Sequence, residues 1–167
     1  MEKKRNNIKM QTFDILSKKS ITVDIKSRDR IGVIKELIYL LSEEKIIKDP
    51  FKVIRAILNR EKKGTTGIGN GIAIPYARTN AVKEVVGAFG ISKQGVEFYS
   101  LDGNPVHFIF LLLSPDNCEK QYLDVLSRIT HLLKNKYFQE ALMGARSAEE
   151  VLEIIDKEKD SYFKVNK

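Results

Sequence analysis

The sequence is short of the residues from which many functional sites are built. Its 167 residues include one cysteine, Cys118, and two histidines, His107 and His131. One cysteine cannot close an internal disulfide, so no oxidised scaffold is encoded and a cytoplasmic location is expected. Two histidines and a cysteine far apart in the chain lack ligand spacing, so neither a metal nor a cofactor is expected. A Ser-His-Asp set could be assembled only by choosing among many serines and aspartates, which leaves a hydrolytic triad without support. The N-terminus carries no apolar signal core. The longest apolar run, Phe108 to Leu113, is far short of the ~20 residues that span a bilayer, so no membrane insertion is expected. No internal repeat is visible.

What is present suits one globular domain: 43% hydrophobic and 31% charged residues, enough to bury a core and too apolar for disorder. The net charge of +7 sits mostly at the ends. Lys3, Lys4, Arg5 and Lys9 oppose only Glu2, and four lysines in residues 157–167 oppose Glu158 and Asp160. A groove that tracks phosphates needs basic residues clustered on a folded face. Charged ends read instead as solvated tails, residues 1–11 and 157–167, and no specific nucleic-acid partner is expected.

Between the tails the pattern alternates. Ile21, Val23 and Ile25 alternate with polar residues as in a half-buried strand. Ile31, Ile34, Leu37, Ile38 and Leu41 recur at helical spacing, with Ser27 or Asp29 as the cap. Asp49-Pro50 announces a second helix through Val53, Ile54, Ile57 and Leu58, which Gly64 stops. Val85 to Ile91 and Val106 to Leu113 are strand-like; the second barely alternates, as expected of a central strand covered on both faces. Tyr122, Val125, Leu126, Ile129, Leu132 and Leu133 form a helical stripe, and Ser147 with Glu150 starts a final helix. The reading is an α/β fold, a mixed sheet sandwiched between helices.

Residues 64–71 hold four glycines and two threonines, Gly64, Thr65, Thr66, Gly67, Gly69 and Gly71 among Ile68 and Asn70. Such a loop turns tightly and exposes N–H groups, as an anion-binding loop requires. It is not a nucleotide loop. The third glycine has the wrong spacing for a dinucleotide fingerprint and follows a helix, and Gly64 to Gly69 is followed by Asn70 rather than the lysine of a P-loop.

The stretch Ala56-Ile57-Leu58-x-Arg60-Glu61-Lys62, followed by Thr66-Gly67-Ile68-Gly69-Asn70-Gly71-Ile72-Ala73-Ile74-Pro75, resembles the enzyme IIA domains of the phosphoenolpyruvate-dependent phosphotransferase system. The likeness is to the fructose/mannitol type, especially its nitrogen-regulatory branch, and covers residues 12–156. Weaker matches are Pro105-Val106 and the helix from Tyr122 to Leu133. The resemblance implies a mixed sheet between helices and a histidine, directly after the Ile-Ala-Ile-Pro segment, that accepts a phosphoryl group from the histidine-containing phosphocarrier protein. It implies that Arg60, Thr66 and Gly67 hold that phosphate.

Tyr76 stands where the acceptor histidine is expected. Neutral imidazole is nucleophilic at neutral pH and passes a phosphoryl group onward readily. A phenol, with an ordinary pKa of ~10, is mostly protonated, and its phosphate ester is a poor donor. The expectation is a regulatory protein whose relay step is disabled, with Gly69, Asn70, Gly71 and Arg78 around Tyr76 docking the phosphocarrier protein or a regulated target. The alternative is an active phosphoryl carrier that uses Tyr76 or His107, the latter placed by the resemblance at a second active-site position. His131, within the apolar stripe, reads as structural.

Overall fold

A computed structural model describes residues 12–165 of the chain. Two 3-10 turns, Thr12–Ile15 and Lys18–Ser20, lead into strand β1 (Ile21–Thr22) and helices α1 (Arg30–Glu43) and α2 (Pro50–Glu61). Short strands β2 (Gly67–Gly69), β3 (Ile72–Ala73) and β4 (Tyr76–Arg78) precede the long strands β5 (Val86–Val96) and β6 (Val106–Ser114). Helices α3 (Glu119–Leu133), α4 (Lys136–Met143) and α5 (Ala148–Val165) complete the fold. None of these helices is long and apolar enough to cross a membrane.

The capping residues set the helix starts. Asp29, rather than Ser27, caps α1 by accepting from the Gly32 amide at 2.8 Å. Asp49 caps α2 through the Lys52 amide, with Pro50 at the first helical position. Ser147 accepts from the Glu150 amide at 3.1 Å, while the Glu150 carboxylate reaches the Arg146 amide at 2.7 Å. The last helix then runs through Val165, beyond the point where the charged tail was expected to begin; the N-terminal tail lies outside the described residues.

The six strands form one mixed sheet in the order β1-β5-β6-β3-β2, with β4 also on β6. Strand β6 pairs antiparallel with β5 and parallel with β3 and β4, so it is central. Its uniform apolarity conceals a period of two: Phe108, Phe110 and Leu112 enter a core with α3–α5, while Ile109, Leu111 and Leu113 enter a second core with α1 and α2. Each such fully buried side chain contributes about 1.5–3 kcal/mol.

Two expectations change. Strand β1 is only Ile21–Thr22, because the Thr22 hydroxyl takes the Asp24 amide at 3.3 Å and turns the chain off the ladder; Ile25 keeps a single bond to the Ile91 carbonyl. Conversely, the segment read as a loop contains three strands. Ile72 faces Phe108 and Tyr76 faces Leu112, so β3 and β4 keep one register along β6 and are a single edge interrupted at Ile74–Pro75. Proline is tolerated there because its carbonyl still accepts from the Leu112 amide at 2.9 Å.

Candidate functional site

The glycine loop carries the chain from the end of α2 to this edge, and three consecutive residues at its tip, Gly69, Asn70 and Gly71, have φ of 93°, 57° and 77°. Glycine adopts these angles without penalty and asparagine tolerates them better than most residues. The tip is fastened on both sides. Asp102 accepts from the Asn70 amide at 3.0 Å, and the Gln139 amide of α4 donates to the Asn70 carbonyl at 2.9 Å. Hydrogen bonds from the Asn104 and Asn70 amides hold the Asp102 carboxyl below its usual pKa. Gly67 has no room for a side chain: a methyl there would lie 3.1 Å from Ser100 Cα and closer still to its hydroxyl.

Beneath the loop lies a buried ion pair that the sequence reading did not assign. Glu61 is 5% exposed; its carboxylate accepts from the hydroxyl of Thr66 and from the Thr66 amide at 3.4 Å. Arg30 of α1 completes the set, with Nη1 3.4 Å from Glu61 Oε2 and its guanidinium 4.9 Å from the Tyr99 ring centroid. The Thr66 hydroxyl, expected at a phosphate, is thus turned inward to Glu61, and Thr66 is 4% exposed.

Arg60 and Tyr76, by contrast, are brought together. Arg60 Nε donates to the Tyr76 hydroxyl at 2.8 Å, Nη1 donates to the Gly64 carbonyl at 2.8 Å, and the guanidinium carbon is 4.7 Å from the Tyr76 ring centroid. Two residues along β4, Arg78 projects to solvent and pairs with Glu119 at 2.8 Å, which raises its pKa. The Tyr76 ring also packs against Tyr122 of α3, tilted by 50° with the ring centroids 5.5 Å apart. Burial, and after it the Tyr76 phenol, push the Tyr122 hydroxyl well above the ordinary tyrosine range.

His107 is not part of this group. Its Nδ1 lies 2.8 Å from the Ser92 carbonyl and its amide donates to Gly71, at the far end of the glycine loop. Tyr76 faces Leu112, five residues further along β6, so the ladder separates the two positions by roughly 16 Å. Tyr122 takes the second place beside Tyr76. Its hydroxyl at a core position of an apolar stripe was the available signal. His131 is exposed in the last turn of α3.

With this geometry established, comparison with known proteins assigns the family. The family described as "Phosphoenolpyruvate-dependent sugar phosphotransferase system, EIIA 2" matches residues 14–158. The chain is 37% identical over 147 residues to the PTS system fructose-specific EIIABC component of Bacillus subtilis (strain 168), covering 88% of this chain and 23% of that protein. It is 38% identical over 121 residues to the Nitrogen regulatory protein of Escherichia coli (strain K12), covering 72% of this chain and 74% of that one. The crystal structure of Nitrogen Regulatory Protein IIA-Ntr from Neisseria meningitidis superposes with a TM-score of 0.79 at 37% identity, over 84% of this chain and 96% of that chain. The chain therefore belongs to the EIIA type 2 family of the phosphoenolpyruvate-dependent sugar phosphotransferase system, and resembles its nitrogen regulatory members.

Proposed function

We propose that this chain is a cytoplasmic regulatory member of its family that acts through protein–protein contacts, without a histidine relay at the Tyr76 position. The observation that carries this reading is the hydrogen bond from Arg60 Nε to the Tyr76 hydroxyl. The guanidinium expected to steady a phosphoryl group is already engaged by a side chain that is a poor carrier of one. A relay through His107 is disfavoured by its distance from Tyr76 along the β6 ladder and by its bond to Ser92.

Docking is supported by exposed apolar residues that adjoin residues of the loop and of α3. Leu101, 82% exposed, precedes the Asp102 that fastens the loop, and Leu123, 52% exposed, follows Tyr122 on α3. Exposed apolar side chains next in sequence to these residues, together with the exposed Arg78 and a rigid glycine loop, supply the kinds of anchor and polar rim that protein interfaces use. The partner is the phosphocarrier protein or a regulated target.

The test is phosphoryl transfer from phosphoenolpyruvate through enzyme I and the phosphocarrier protein, run on the wild-type chain and on Tyr76→His. Label is expected on Tyr76→His alone, and it should be acid-labile. Label on the wild-type chain would refute the regulatory reading: acid-stable label would place it on a tyrosine, acid-labile label on a histidine.

A further inference from the structure

Strands β1 and β5 pair at Ile21–Phe89 and Thr22–Gly90, stay joined by the bond from the Ile25 amide to the Ile91 carbonyl, and then part. The two segments meet again at the Asp29–Glu97 bridge. Between these junctions lies an open cleft of about 250 Å³, with residues 24–28 as one wall and residues 92–95 as the other. The gap exists because β5 bulges: Ile91 faces Phe108 and Val96 faces Val106, so residues 92–95 stand opposite His107 alone. Each wall is fastened independently of the other. The Glu36 carboxylate of α1 accepts from the Lys26 amide at 3.1 and 3.2 Å. His107 Nδ1 donates to the Ser92 carbonyl at 2.8 Å, the Ser92 hydroxyl accepts from the Gly95 amide at 3.1 Å, and Lys93 Nζ donates to the Met143 carbonyl at the end of α4. A cleft braced in this way is formed before any ligand arrives, which lowers the ordering cost of binding.

We propose that this cleft binds a small aliphatic dicarboxylate, with one carboxylate on each wall. Lys26 and Arg28 stand on the first wall and Lys93 on the second, against the single carboxylate of Asp24. Among the described residues the side chains of Lys26 and Arg28 make no ion pair, so their charge is available to a ligand. Positive charge divided between two walls favours two separated anionic groups over one compact anion. No aromatic side chain lines the cleft, so nothing there would stack a nucleobase. Its volume lies below the roughly 300–1,000 Å³ of pockets for drug-sized ligands, which restricts the occupant to a short chain. Ile25 is the one large apolar residue in the lining, enough to cover a few methylenes. The bulge stands opposite His107, at the other end of β6 from the Leu112 that faces Tyr76. The site is therefore separate from Arg60 and Tyr76, and the proposal goes beyond the regulatory reading and does not depend on it.

Titration calorimetry of the intact chain with glutarate, against chloride at equal ionic strength, tests the site. Saturable binding is expected with a dissociation constant of about 1 mM or below, and about tenfold weaker binding of butyrate, which offers one carboxylate only. Arg28→Gln should weaken glutarate about tenfold, and Asp24→Asn should tighten it about threefold by removing the carboxylate that repels it. All of these side chains are exposed, so the thermal midpoint should hold and loss of binding is not loss of the fold. Lys35→Gln, an exposed change on α1 outside the cleft, should leave the affinity unchanged. Amide NMR shifts on adding glutarate should concentrate at residues 26–28 and 92–95. No saturable binding up to roughly 10 mM overturns the proposal, as do equal affinities for glutarate and butyrate. Equal losses from Lys35→Gln and Arg28→Gln would mean unspecific attraction to the surface, and shifts centred on Arg60 and Gly64 would place the ligand elsewhere; either overturns it. None of these outcomes bears on phosphoryl transfer at Tyr76, which the relay assay decides separately.

Discussion

Removing Glu61 should damage this protein more than any neighbouring charge, although Glu61 sits in the charged run Arg60-Glu61-Lys62-Lys63. The side chain is buried and accepts from the Thr66 hydroxyl, the Thr66 amide and Arg30. In Glu61→Ala all three donors lose their acceptor and a void opens, which places the cost at about 3–4 kcal/mol. The upper end of the range for a broken buried pair is not reached, because Arg30 is partly exposed and can rehydrate while still stacked on Tyr99. Glu61→Gln keeps the shape and one acceptor oxygen but loses charge assistance, for about 2 kcal/mol. Against a total stability of about 5–15 kcal/mol for a typical domain, either loss is readily measured as a shift of the urea midpoint at constant m. The Thr66→Val background sharpens the test: with the hydroxyl donor gone, Glu61→Ala should cost about 1–2 kcal/mol less than it does alone. A Glu61→Ala protein within about 0.5 kcal/mol of wild type, or strict additivity with Thr66→Val, would refute the claim that this carboxylate anchors the loop.

Two further perturbations test neighbouring parts of the structure. Gly67→Ala should cost about 1–3 kcal/mol in urea, because the added methyl meets Ser100 at backbone distance; an unchanged midpoint would mean the two segments separate freely. Alkaline stability should report Tyr122. The unfolded residue ionises near its ordinary value of 10.0 and the native one above it, so above that pH the unfolded chain binds fewer protons and stability falls by up to about 1.4 kcal/mol per pH unit. Tyr122→Phe should flatten that part of the stability profile between pH 10 and 11, and equal slopes for the two proteins would refute the assignment.

The sheet-and-helix layout was legible because its signals are periodic and its caps are chemically specific. Asp29, Asp49 and Ser147 each cap the helix that the apolar pattern announces. The glycine segment was legible only as a backbone able to turn. Its strands are two or three residues long; β3 and β4 take their identity from pairing with β6, information that lies some 36 positions away in sequence, and β2 takes its own from pairing with β3. Helix α4 went unassigned for a related reason: eight residues are too few to establish a period, and its start depends on the Asn135 side chain reaching the Phe138 amide. Within the site, Arg60 and Tyr76 stood out as residue types. Glu61 was disguised by its charged neighbours, although Val53, Ile57 and Glu61 recur every four residues and place it on the buried face of α2. Tyr122 was absorbed into an apolar stripe, where its hydroxyl was the anomaly. His107 was placed beside the acceptor position by resemblance, and β6 register, which no local pattern encodes, puts it at the other end of the strand.

The distribution of restraint around Tyr76 bears on how any signal could leave the site. The glycine loop is tied by four bonds to three separate elements: Thr66 to Glu61 of α2, the Thr65 hydroxyl to the Phe98 carbonyl and the Asn70 amide to Asp102, both in the β5–β6 connection, and the Asn70 carbonyl to Gln139 of α4. A segment with three successive positive φ angles and that many anchors has one conformation to offer, so it cannot itself be the element that changes. The Tyr76 side chain differs, since it is held only through side chains: its hydroxyl accepts from Arg60 Nε, and its ring packs against the Arg60 guanidinium and the Tyr122 ring. A partner that engages Arg60 would therefore act on one ring in an otherwise fixed frame, and its effect would be confined to the surface at Tyr76 rather than spread through the fold. The bound and free forms must then be distinguished by a partner that touches that patch directly, because nothing in the anchored loop could carry the change to a distant face.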